Sequence, residues 1–138
     1  MYAVVKSFLE RLGDDPATQI NFTRSETRIA MAVLLFRVVT IDGEVKESEL
    51  DLYRNLLREK LNVSDAEMAL FETTVRRESD REASLFPFTT IVKKMPVETR
   101  REILRMMKEL SLSDNELHEF EINLVARTAE LLDLPLDD

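Results

Sequence analysis

Between Ile29 and Val39 only Arg37 interrupts a run of apolar side chains, and coiled into an α-helix that run has no polar side to offer water. It is far short of the roughly 20 residues needed to cross a bilayer, so its surroundings must be protein. The chain's two glycines and four prolines are too few for the tight turns that a sheet-rich fold consumes. An all-helical bundle with this segment at its centre is the expected architecture. The 138 residues suit one domain, 1–138, with room for a proper hydrophobic core.

Composition narrows the function classes. There are no cysteines, which removes disulfides, thiolate metal sites and thiol nucleophiles, and points to a reducing cytoplasm. Twenty-seven acidic against nineteen basic side chains leave a net charge of −8, a field that repels nucleic-acid phosphates. The basic pairs Arg76-Arg77, Lys93-Lys94 and Arg100-Arg101 are short and read as solvated helix faces. No nucleic-acid partner is expected. The first residues show no signal-peptide pattern, and their polar positions lack the lysine richness of a membrane-surface anchor.

Periodicity and punctuation predict about seven helices. The first spans Met1 to Leu12, with Tyr2, Val4, Val5, Phe8, Leu9 and Leu12 on a helical pattern. Gly13-Asp14-Asp15-Pro16 is a break, and the apolar second helix runs from Arg24 to Thr40. The third covers about Lys46 to Lys60. Ser64, with Glu67 three residues on, has the capping-box pattern and opens a fourth that lasts to Ser79. Pro87 belongs near the start of a fifth, from about Leu85 to Lys94, and Pro96 opens a sixth that reaches Leu112. The seventh covers about Leu117 to Asp133 and stops before Pro135.

Across these helices lies an internal repeat. Set 72 residues apart, Asp42-Gly43-Glu44-Val45 faces Asp114-Asn115-Glu116-Leu117. At the same spacing Glu47 meets Glu119, Glu49 meets Glu121, Leu52 meets Leu124, Leu35 meets Met107 and Val38 meets Leu110, without a gap. Each half is therefore a helix, an acidic turn and another helix, and the segments 28–61 and 100–133 are expected to be related by a pseudo-two-fold rotation. Gly43 and Asn115 are the residue types that most readily take the left-handed conformation ending a helix.

With these paired turns the chain resembles the tellurite-resistance B (TerB) family, whose first turn commonly reads Asp-Gly followed by acids, as Asp42-Gly43-Glu44-Val45-Lys46-Glu47-Ser48-Glu49 does. The likeness extends over roughly residues 24 to 134. In the second turn Asn115 replaces the glycine. Similar domains precede the J-domain of some membrane-anchored DnaJ-like co-chaperones. The resemblance implies a bacterial, cytoplasmic stress-response module with a bundle of about seven helices and a divalent cation at acidic residues. It also implies protein partners, with a membrane-associated stress-response complex as the setting that would bring the chain to the periphery of the inner membrane.

The direction of the acids gives a reading independent of the resemblance. At ~100° per residue Glu49 shares a stripe with Leu52, Tyr53 and Leu56, and Glu121 shares one with Leu124, Val125, Thr128 and Leu132. Both should point inward, whereas Glu47 and Glu119 fall on the faces of Asp51 and Asn123. Favourable interaction with the helix dipole explains Glu44, Glu47, Glu116 and Glu119. A buried carboxylate needs more, because desolvation penalises its charge. Ion pairing with Arg28 or Arg100 is one answer. A shared divalent site at Asp42, Glu49, Asp114 and Glu121 is another, with Glu44 and Glu116 as weaker candidates. Oxygen ligands favour calcium, magnesium or manganese over zinc, and Gly43 directly after Asp42 excludes EF-hand spacing.

Catalytic signatures are sparse. The lone His118 sits in the second acidic turn, where an exposed or salt-bridged role suits it better than that of a general base. Neither a Gly-rich phosphate loop nor a His-Glu protease spacing occurs, and no organic cofactor is expected. A non-enzymatic binding module fits best, with a carboxylate-only metal-dependent hydrolase and a metal-independent helical scaffold as alternatives. The methionines at 95, 106 and 107 suit a scaffold's adaptable groove, but equally the filling of a core.

Overall fold

The computed structural model describes residues 16–113 and 119–135, with side chains from residue 26 onward. Within them the chain is all-helical and no strand occurs: α1 (Pro16–Thr40), α2 (Glu47–Lys60), α3 (Asp65–Arg81), α4 (Phe86–Lys93), α5 (Val97–Ser111) and α6 (Glu119–Leu131). The amphipathic segment expected over Met1 to Leu12 lies outside the described residues.

The apolar helix is the axis of the bundle, and α2, α3, α4 and α5 all pack against it. Every side chain from Ile29 to Leu35, and again Val38 and Val39, is at most 5% exposed. α6 lies against α4 and α5, and α2 touches α5 as well as α1. In one respect the expectation for α1 was wrong: it begins at Pro16, not Arg24. Proline's fixed φ suits the first turn of a helix, where no N–H is required, so the break before it ends at the proline itself.

The other helix ends follow local chemistry. Ser64 accepts the N–H of Glu67 at 3.3 Å and opens α3. Ser84 accepts the N–H of Phe86 at 3.1 Å, ahead of the proline in the first turn of α4. α2 and α6 are followed by left-handed residues, Asn62 (φ 56°) and Asp133 (φ 57°). After α6 the Leu134 N–H returns to the Ala129 carbonyl at 2.9 Å, closing the last turn.

Three arginines tie helix ends to the core. Arg37, 9% exposed, donates to the carbonyls of Ala83 (3.1 Å), Ser84 (2.9 Å), Ser79 (3.3 Å) and Glu82, gathering the end of α3 and its connection to α4. Its guanidinium also lies 5.1 Å from the centre of the Phe88 ring. Arg28 and Arg100, 72 residues apart, perform the same task in the two halves. Arg28 donates to the carbonyls of Leu61 (3.3 Å) and Asn62 (3.1 Å) beyond α2, and Arg100 donates to that of Leu132 (2.7 Å) beyond α6.

Burial repeats at the same spacing. Leu35 and Met107, Val38 and Leu110, Tyr53 and Val125, Leu56 and Thr128, and Leu57 and Ala129 are all buried.

The first acidic turn is built on Gly43. Its N–H reaches the Thr40 carbonyl at 3.0 Å, its φ is +79°, and a Cβ added there would meet nothing within 4 Å. The demand at this position is therefore conformational and not steric. Gly43→Val should lower the unfolding free energy by about 1–2 kcal/mol, Gly43→Ala by less, and Gly43→Asn least. A valine variant as stable as the parent in denaturant melts would contradict the left-handed turn.

Candidate functional site

The first turn leaves α1 at Thr40 and enters α2 at Glu47. Asp42, partly exposed, accepts the N–H of Glu44 on its Oδ1 at 3.0 Å, so the side chain folds back over its own turn. Glu44 and Glu47 are exposed. Glu49, in the first turn of α2, is 1% exposed, and Glu121, in the first turn of α6, is also 1% exposed, whereas Glu119 faces solvent. The helical wheel thus separates inward from outward acids correctly in both halves. Asp114, Glu116 and His118 lie outside the described residues. Among the described residues no three Asp, Glu or His side chains gather closely enough to hold a metal ion.

First-turn placement lends both glutamates the positive end of a helix dipole, worth about 0.3–1 kcal/mol at a surface and up to ~2 when partly buried. Removing a carboxylate from water costs several kcal/mol. The dipole therefore offsets part of the penalty, and further compensation must come from groups around each carboxylate. The arginines expected as pairing partners are engaged elsewhere. Arg28 bonds to Glu67 at 2.9 Å and lies 5.5 Å from the Phe71 ring centre, while Arg100 holds the carbonyls of Met95 and Leu132.

Two further polar side chains are buried, Tyr53 on the stripe expected to face inward and Glu78, which was not anticipated from the sequence. Tyr53, one turn after Glu49, has its ring centre 5.7 Å from that of Phe36, and its hydroxyl has no hydrogen-bond partner among the described residues. Burial, helped by Glu72, pushes the phenol well above its ordinary range against the pull of Arg76 and Arg54. Glu78 on α3 is a third carboxylate at 1% exposure. A helical period could have found it, since Phe71, Thr74, Val75 and Glu78 make one stripe.

A match to known proteins covers most of this architecture. The family described as "Tellurite resistance protein TerB" matches residues 28–138, from the arginine that caps the first half to the end of the chain. The chain belongs to the TerB family. No curated protein and no solved structure matches it. Membership makes it a tellurite-resistance-like module, and both acidic turns fall within the matched region. No helix of the described residues is long and apolar enough to cross a membrane.

Burial raises the Glu78 carboxyl above the carboxylate range, with Arg81 and Arg77 pulling it back down. A raised native value means that the group's stabilising contribution is complete below its ordinary range and is lost as pH rises through the native value. Glu78→Gln should therefore match the parent near pH 3 and become progressively the more stable of the two towards pH 7 in thermal melts. A stability difference that does not change with pH would contradict this.

Proposed function

We propose that this TerB-family chain is a non-catalytic binding module whose paired acidic turns hold a divalent cation and which docks partner proteins. The twin burial of Glu49 and Glu121 carries the reading. Two carboxylates 72 residues apart are each 1% exposed in the first turn after an acidic bend, while Glu47 and Glu119, two residues earlier, face water. First-turn capping accounts for the outward pair, and the inward pair is where a shared cation would be held.

The donor set suits a hard cation. Glu49 and Glu121 would be the inner ligands, and Asp42 and Asp114 would contribute from the turns, with Glu44 and Glu116 in weaker positions. All are carboxylates, which selects calcium, magnesium or manganese. A bound cation would supply the positive charge that desolvated carboxylates require. The chain's own contribution is to fix two helix starts at equivalent places, one of them through Gly43, and to bury one carboxylate of each.

Thermal melts of chelator-treated protein test this. Calcium, magnesium or manganese at a hundredfold excess over the dissociation constant should stabilise the fold by about 2.7 kcal/mol, and monovalent salt by much less. Glu49→Gln and Glu121→Gln should abolish the response without destabilising the metal-free protein, because a buried charge is removed. Glu47→Gln and Glu119→Gln should keep it. Equal loss in the outward variants, or no response to any divalent ion, would overturn the cation site in favour of simple dipole capping.

A further inference from the structure

No further inference is drawn: the strongest candidate, the groove between α4 and α6 lined by Phe86, Thr89, Thr90, Lys93, Glu130 and Leu131, has both its charged side chains paired within the chain, Lys93 with Asp133 and Glu130 with Arg127, and nothing in the structure shows what covers it.

Discussion

A helix without a polar side must be surrounded, and the burial of α1 dictates where almost everything else goes. At about 1.5–3 kcal/mol for each fully buried aliphatic side chain, the stretch from Ile29 to Val39 is the largest concentrated apolar contribution in the fold. Four helices share the task of covering it. The exception within it is Arg37, a guanidinium that would be ruinous at the centre of a bundle without acceptors. Carbonyls from Ser79 to Ser84 supply them, so the requirement of one buried cation fixes the connection between α3 and α4.

The same helix launches the first acidic turn, and its partner α5 leads towards the second. Each inward glutamate thus stands at the beginning of the helix that follows a buried core element. The Arg28 and Arg100 caps, equivalent by position and task, extend the internal repeat from its turns to its far ends. Retained burial at positions 72 residues apart, with Tyr53 opposite Val125 and Leu56 opposite Thr128, shows that the repeat specifies environment more closely than residue identity.

Much of this was legible in the sequence because it rests on local rules. The central helix followed from composition alone, Gly43 from the demand for a left-handed residue, Ser64 from its capping pattern, and the contrast between Glu49 and Glu47 from the 3.6-residue period. What escaped depends on partners far along the chain. Nothing near Arg37 announces that its acceptors lie 42 to 47 residues away, and nothing near Arg28 and Arg100 reveals which carbonyls they hold. The start of α1 was missed because polar residues between Pro16 and Arg24 carry no apolar period, although helix continuity needs none.

The central claim, that the two buried glutamates belong to a cation-binding module, is tested most directly by calorimetry. Calcium, magnesium and manganese would be titrated separately into chelator-treated protein at fixed pH and ionic strength. At least one of the three ions should give saturable heat with a single site per chain, and that heat should vanish in the Glu49→Gln, Glu121→Gln double variant. Absence of saturable heat for all three, or equal heat from the double variant, would contradict the account.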